Sequence, residues 1–473
     1  MTIRFHRRKL LKQGALIGAG AAGTRLLGVP AVLAERSPND KLGTVVIGCA
    51  NQGLVSVNAA AEERLVAMVD VDERHLAQSR QWLTEHHPNV KVSGVKTYFD
   101  YRQMFDEIEK EIDAVFVATP DHHHAPAAMR AIKRGKGVYV EKPLAHTIGE
   151  VRTLMDAARK NKVATQMGNQ GHSGEGIRRL CEYIWAGAIG NVTETHSWAP
   201  TGRGGVGGRL PSQPVPPGLH WDQWIGPAPY REYHAELHPK DWRSWWDFGC
   251  GSVGDWGCHN LDGPLMALKL GHPTSIEAVE QIGGSDERFP LLSVIRWDFP
   301  ARGEMPALKV FWHDGYRGFD PKRVEEDSDA AQKAQNRPPI VLELEQKYGR
   351  DLKNGGTVYL GDKGIMVTGN YAGSPRIIPE QKHREFPVPE KKLPRIKGTH
   401  QADFLRAVRD GRGSCADFGY SGALTEMVLL GTLAIRAGTG RRVEWDGSSA
   451  RCTNLPELNA LVHREHRSGW GLD

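Results

Sequence analysis

Only six of the 473 residues are cysteine, and they are scattered, which excludes a scaffold held together by disulfides. No uninterrupted apolar run approaches the ~20 residues that a membrane-crossing helix needs. Tandem repeats are also lacking. A one-signed charge is lacking too, although the formal net charge of +5 conceals it. Six basic residues (Arg4, Arg7, Arg8, Lys9, Lys12, Arg25) and no acid lie in residues 1–34, and without them the remainder stands at −1. With no Lys/Arg block in that remainder, the chain has no electrostatic footprint for nucleic acid.

The basic start has a pattern of its own. His6-Arg7-Arg8-Lys9-Leu10-Leu11-Lys12 is followed by a weakly apolar, Gly/Ala-rich stretch ending in Val32-Leu33-Ala34, whose small last residue suits a signal peptidase. Residues 1–34 read as a twin-arginine export signal, with His6 where Ser or Thr is common and Leu10 where Phe is. The expectation is a periplasmic protein, folded before export, with its cysteines as free thiols.

From Thr44 to about Met167, short β-branched runs alternate with amphipathic stretches, the pattern of a parallel sheet covered by helices. Strands are expected at Thr44 to Ile47, Leu65 to Val69, Ala114 to Ala118, Val138 to Val140 and Val163 to Met167. Asp100-x-x-Gln103 and Thr147-x-x-Glu150 read as capping boxes. Beyond Gly171 come one helical stretch (Gly176 to Ala186), a strand at Val192 to Trp198 and a Gly/Pro-rich segment from Gly202 to Gly218. Short alternating runs at Ser275 to Ile282, Leu291 to Phe299, Ala307 to Trp312, Ile340 to Leu344, Thr357 to Leu360 and Gly364 to Thr368 point to an antiparallel sheet. Phe319 to Pro338, charged and Pro-bounded, reads as a surface excursion. The fold class is α/β, with a Rossmann domain over residues 43–170 and a second α/β domain over residues 171–450.

Thr44-Val45-Val46-Ile47 runs into Gly48-Cys49-Ala50-Asn51-Gln52-Gly53, and Asp70 closes the next strand. Strand, glycine turn, helix, strand and acid is the order of a dinucleotide site. Gly48 permits the tight turn, Gly53 lets helix and strand approach, and the helix N-terminus faces the diphosphate. Ala50 replaces the middle glycine and crowds that approach by one methyl. A carboxylate at Asp70 can accept both ribose hydroxyls and repels a 2′-phosphate, so NAD is expected over NADP.

Three more segments carry a family likeness: Thr119-Pro120-Asp121-His122-His123-His124, Glu141-Lys142-Pro143, and Gly254-Asp255-Trp256-Gly257-Cys258-His259. With the glycine turn they resemble the Gfo/Idh/MocA family of glucose-fructose oxidoreductase and inositol dehydrogenase, over about Leu42 to Trp445. The resemblance implies a C-terminal α/β domain with a large open, mostly antiparallel sheet, through which a homodimer or homotetramer forms. It also implies an NAD-dependent oxidoreductase acting on a secondary hydroxyl of a sugar or polyol. Lys142 matches the family's active-site lysine, and Asp255 and His259 its Asp-x-x-x-His pair. A spacing of four on a helix would let Asp255 orient the His259 imidazole, while Lys142 stabilises an alkoxide. Thr119, Pro120, His124 and Glu141 join the expected cofactor contacts. Asp121 stands where the family pattern has Asn.

Around this core, Gln166 and Asn169 are placed to line the cleft, and Gln170 with them. Seven of the thirteen tryptophans lie between Trp198 and Trp256, a density that suits packing against sugar rings. Trp198, Arg243 and Trp246 are the expected substrate contacts from that stretch, with at least half of the tryptophans structural. No metal is expected: consecutive histidines on a helix face different ways, and Cys250, Cys258 and His259 fall short of a zinc arrangement. A competing chemistry within the resemblance is a redox-neutral, NAD-dependent glycoside hydrolase or lyase that oxidises, eliminates and reduces. That group replaces the lysine of Glu-Lys-Pro, so Lys142 favours the dehydrogenase. Asp70 gives the first testable outcome: NAD binds more tightly than NADP, and Asp70→Ala narrows the gap, as read by titration of both cofactors.

Overall fold

The computed structural model describes residues 41–318, 329–349, 351–352 and 355–472, so the expected export signal lies outside the described residues. Six strands form the first sheet: β1 (Gly43–Ile47), β2 (Arg64–Val69), β3 (Lys96–Tyr98), β4 (Ala114–Val117), β5 (Gly137–Val140) and β6 (Thr165–Met167). All are parallel, in the order β3-β2-β1-β4-β5-β6. The order reverses between β1 and β4, and ligands of such sheets sit at the carboxyl ends of those two strands. β1 and β4 are buried along their whole length; β4 is an unbroken apolar run, and in β1 the one polar side chain, Thr44, donates to Ala60 O at 3.0 Å. β3 escaped the sequence reading because only Tyr98 of its three residues is buried.

The second sheet has nine strands: β7 (Val192–Trp198), β8 (Ser275–Ile282), β9 (Leu292–Phe299), β10 (Leu308–Gly315), β11 (Gly356–Gly361), β12 (Gly364–Thr368), β13 (Arg376–Ile378), β14 (Val443–Asp446) and β15 (Arg451–Cys452). The order is β13-β12-β11-β7-β10-β9-β8-β14-β15, antiparallel throughout except for the parallel pair β7 and β10. Ile340 to Leu344, expected as a strand, lies in the helix Pro339–Tyr348, where Val341 and Leu344 share the buried face. A five-residue stretch with four apolar residues fits either period, and here Pro at the first turn and Gly349 in left-handed conformation (φ 62°) bound a helix. Residues 319–328 of the expected surface excursion lie outside the described residues. Its end is not a surface feature, since Asn336 is buried and donates to Asp314 O at 3.0 Å.

The helix Phe418–Ala437 locks the two sheets together. It is long and apolar enough to cross a membrane by length and composition, but 78% of its apolar window is buried inside the protein. It packs on β8, β9 and β6 and on the helix Ile148–Asn161 of the first domain. Gly431 is required here, because a Cβ would lie 2.8 Å from the Trp297 ring, whose Nε1 donates to Met427 O at 2.9 Å.

Thr147 and Glu150 form the expected capping box at the start of Ile148–Asn161. Asp100 caps its helix alone, and Gln103 turns instead to Glu107. Glu150 does more than cap: its Oε1 accepts from Arg464 Nε and lies by His466 Nε2, both at 2.7 Å, which fastens the C-terminal tail to the first domain. Burial alone would raise this carboxyl, but Arg464 and His466 hold it at about 2. A depressed folded-state value stabilises the protein above the ordinary carboxylate range and is lost as pH falls toward 2. Glu150→Gln therefore costs about 3 kcal/mol at neutral pH, by the scale of breaking a buried ion pair. Thermal melts of both proteins between pH 7 and pH 3 check this, with the gap in Tm closing as pH falls.

Candidate active site

The carboxyl ends of β1, β4 and β5 open into a cleft of about 550 Å³ whose opposite wall comes from residues 203–259 and Tyr371. Gly48 turns the chain with φ 84°, and a Cβ there would strike the Ala118 carbonyl. Gly53 packs directly on Gly48 O, and Asn51 takes the left-handed conformation (φ 52°) that its short amide tolerates. No side chain caps the helix Gly53–Ala61, and its first turn holds no acid, so its positive end faces the cleft unopposed by an acid of its own.

Asp70 is buried at the end of β2, lining the cleft. Its Oδ2 accepts from Cys49 N at 2.9 Å and its Oδ1 from Asp72 N at 3.0 Å, so it braces the glycine turn as well. His75 Nδ1 stands 3.3 Å from the same Oδ1, so Oδ2 is the oxygen that keeps a second acceptor position, open to a ribose hydroxyl. Thr119 and Pro120 line the cleft after β4, and Glu141 and Lys142 after β5.

The Lys142 ammonium donates to Asp255 Oδ1 at 2.7 Å and to the Asp255 carbonyl at 2.9 Å. Arg203 Nε donates to Asp255 Oδ2 at 3.0 Å, and Arg243 Nε stands 3.5 Å from Oδ1. Burial works against a charged Asp255, yet Lys142, Arg243 and Arg203 together hold it well below the usual carboxylate range. Burial likewise works against a charged Lys142, and Asp255 outweighs it, raising the ammonium above its ordinary value. Asp255 thus positions Lys142 and not, as the spacing of four suggested, the His259 ring. The cause is local geometry: Val253–Gly257 is a π-helical turn, wider than an α turn, which breaks the alignment of residues four apart.

His259 sits just past that turn, with its ring edge-on to Tyr371 at 4.6 Å. Burial first, and the Lys142 charge second, lower it to about 3, so the imidazole is neutral at physiological pH. Its Nδ1 is buried without a partner among the described residues. Asp121 is also buried in this wall; its Oδ2 accepts from Cys250 N at 3.0 Å, and burial raises its carboxyl to about 7.

Several expected contacts lie elsewhere. His124 does not line the cleft: its ring nitrogens lie 2.7 Å from Pro143 O and 2.9 Å from Thr119 O, tying together the two loops that do. Gln166 donates to His400 O, and Asn169 to Asp262, both within the packed interior. Trp198 is fully buried under the helix Pro339–Tyr348, and Trp246 stacks on Phe289. Trp224, Trp242 and Trp256 face the cleft, so four of the seven clustered tryptophans do not. Arg243 does line it. Sequence reasoning missed Tyr371, exposed in the cleft with φ 60°, because nothing in its local sequence links it to a site built much earlier in the chain. It missed His75 and His238 for the same reason. Asp72, His75 and His238 bring one ligating atom each within 4.8 Å of one another. Arg74 donates to both Asp72 oxygens, from Nε at 2.9 Å and from Nη2 at 2.6 Å, and so occupies that carboxylate as an ion pair.

The cleft fits a nicotinamide dinucleotide. A glycine cradle backs onto an uncapped helix N-terminus, an acid stands at the ribose position, and Thr119 Oγ1 and Glu141 Oε2 are buried polar atoms without partners among the described residues. Such atoms are costly unless a ligand completes them.

Residues 42–169 match an oxidoreductase family described as having an NAD-binding Rossmann fold, and residues 191–280 match its C-terminal α/β domain. The rhizopine catabolism protein MocA of Rhizobium meliloti is 32% identical over 31% of this chain and 43% of its own length. A glycosyl hydrolase family 109 protein of Solibacter usitatus is 29% identical over 32% of this chain and 36% of its own length. The chain thus matches less than half the length of these curated relatives. Among solved structures, levoglucosan dehydrogenase in complex with NADH and levoglucosan shares the fold at 16% identity, with a TM-score of 0.54 over 85% of this chain and 99% of that one. Residues 42–169 and 191–280, in this order and with the motifs found here, are thus the NAD-binding Rossmann domain and the C-terminal α/β domain of the Gfo/Idh/MocA oxidoreductase family.

Proposed function

We propose that the protein is an NAD-dependent oxidoreductase that removes a hydride from a secondary hydroxyl of a sugar or polyol. The observation that carries this reading is the Lys142–Asp255 ion pair beside a neutral, partly unsatisfied His259 in the dinucleotide cleft. Bound nicotinamide supplies the hydride acceptor; the chain's own groups handle the hydroxyl proton. Lys142, fixed by two hydrogen bonds to Asp255, directs its positive charge at the oxygen from which the proton leaves. His259, uncharged at neutral pH, accepts a proton, while Asp255 stays ionised among three cations. Loss of a hydride from carbon and a proton from oxygen leaves a ketone. Trp256, Trp242 and Tyr371 offer apolar faces and ring donors suited to a carbohydrate.

The second reading is a redox-neutral glycoside hydrolase or lyase, favoured by the similarity to a family 109 glycosyl hydrolase and disfavoured by Lys142. Product analysis separates them: ketone with net cofactor reduction, or released aglycone with none.

Two further parts of the proposal concern the assembly and its compartment. Association as a homodimer or homotetramer through the nine-stranded sheet is supported by its breadth and by Val279 and Ile282, exposed on β8. Export by the twin-arginine route to the periplasm rests on residues 1–34. An exported enzyme finds little nicotinamide cofactor outside the membrane, so it must carry NAD loaded in the cytosol. Retention for an hour needs dissociation near ~10⁻⁴ s⁻¹, a nanomolar dissociation constant at an association rate of ~10⁵ M⁻¹s⁻¹.

Lys142→Met and His259→Ala each lower turnover by roughly 10²-fold or more with cofactor binding largely intact. Steady-state kinetics on a sugar and glycoside panel, with cofactor titration alongside, check this; near-native turnover in both removes them from the chemistry. Denaturing dialysed protein releases about one NAD per chain, and recovery far below that removes the retained-cofactor reading.

A further inference from the structure

The segment His238–Arg243 comes from the second domain, yet it is tied at one end to the Rossmann domain near the ribose acid and at the other to the catalytic ion pair. His238 is buried, with Nε2 3.1 Å from Asp72 Oδ2, two residues beyond Asp70. The chain leading to it is pinned to the same place: Glu73 N donates to Gly218 O, His220 N to Val71 O, and the His220 ring stacks on Phe99 at 3.9 Å. At the far end, Arg243 Nε stands 3.5 Å from Asp255 Oδ1 with its guanidinium over the Trp242 ring at 4.2 Å. The segment therefore crosses the cleft from the ribose acid to the Lys142–Asp255 pair, along the line on which a dinucleotide must lie. Between its anchors, Lys240 lines the cleft with an exposed side chain, and among the described residues nothing pairs with its ammonium group.

We propose that residues 238–243 lie over the bound dinucleotide and that Lys240 binds its diphosphate from the side opposite the helix Gly53–Ala61. The chemistry is complementary. A diphosphate carries two negative charges, the uncapped helix N-terminus meets one face of it, and a lysine across the cleft meets the other. The Rossmann turn alone leaves that second face to solvent, and Ala50, in place of the middle glycine, holds the diphosphate back from the turn. A charge delivered from the second domain offsets that weaker approach. It also makes release of the cofactor depend on lifting a segment latched at Asp72 and Asp255. This proposal rests on the NAD-binding reading and is independent of the substrate.

The test uses the full purified chain, with NADH release followed by fluorescence during chase with excess NAD, and ADP-ribose and adenosine affinities measured by competition. Lys240→Ala releases NADH roughly tenfold faster or more, the scale of one charge-assisted contact, and Lys240→Arg restores most of the difference. The loss is equal for ADP-ribose and absent for adenosine, which lacks the diphosphate. His238→Asn, which loosens the latch while leaving Lys240 in place, accelerates release as well. Release and ADP-ribose affinity unchanged in Lys240→Ala overturn the proposal, as does a loss that is equally large for adenosine. Rapid release by the native chain removes the retained-cofactor reading while the ratio of native to Lys240→Ala still reports on Lys240. A native chain that binds neither NADH nor ADP-ribose overturns both.

Discussion

The Asp255 carboxylate is the group on which the site depends. Three cations converge on it: Lys142 from the end of β5, and Arg203 and Arg243 from the second domain. Removing an ammonium and a carboxylate from water costs several kcal/mol each, and only close, well-directed pairing offsets that cost. Here Lys142 makes two bonds, one to the side chain and one to the carbonyl of the same residue, so its ammonium has little freedom. Asp255, carried on the π-helical turn, presents Oδ1 and its carbonyl to Lys142 of the first domain and Oδ2 to Arg203 of the second. A cluster assembled in this way also ties the two domains together within the cleft.

Around that cluster the ionisation states divide the work. Asp255 is held charged, Lys142 is held charged, and His259 is held neutral, each by a different balance of burial and neighbouring charge. Asp121, raised to about 7 by burial, adds a carboxyl whose protonation changes near neutral pH in the same wall. Such separation of values within one cleft is the physical signature of acid–base chemistry. Thr119 Oγ1, Glu141 Oε2 and His259 Nδ1, without partners among the described residues, describe the same cleft from another side, as buried polar positions that a ligand would have to complete.

The second domain contributes more than a substrate wall. Through the helix Phe418–Ala437 it shares its core with the first, and through residues 216–243 it reaches across the dinucleotide groove. The C-terminal tail adds a third tie at Glu150, and Trp470 at its end lines the cleft beneath the Arg102 guanidinium. The Rossmann cleft, its opposite wall and the chain terminus are thereby mechanically linked.

How much of this is legible in the sequence follows from which interactions are local. Strands β1, β2, β4, β5 and β6, with Gly48, Gly53 and Asp70, follow from sequence because each expresses a short-range constraint: an apolar run buried on both faces, a turn with positive φ, an acid at a strand end; the Glu141-Lys142-Pro143 element is carried by the family resemblance. The same local logic found the capping box at Thr147 and the strands from Val192 to Thr368, and it failed for Ile340 to Leu344, where four apolar residues in five fit two periods. Pairings across the chain lie beyond it. That Asp255 answers Lys142 and not His259, that Trp198, Gln166 and Asn169 turn inward, that half-buried Trp246 packs on Phe289 outside the cleft, and that Tyr371 and the segment 238–243 enter the cleft were decided by tertiary structure. The physical reason is that a side chain's direction is set by the packing of the whole element carrying it. A π-helical turn, a shared core helix and a latch at Asp72 reorient those elements by amounts that no local pattern encodes.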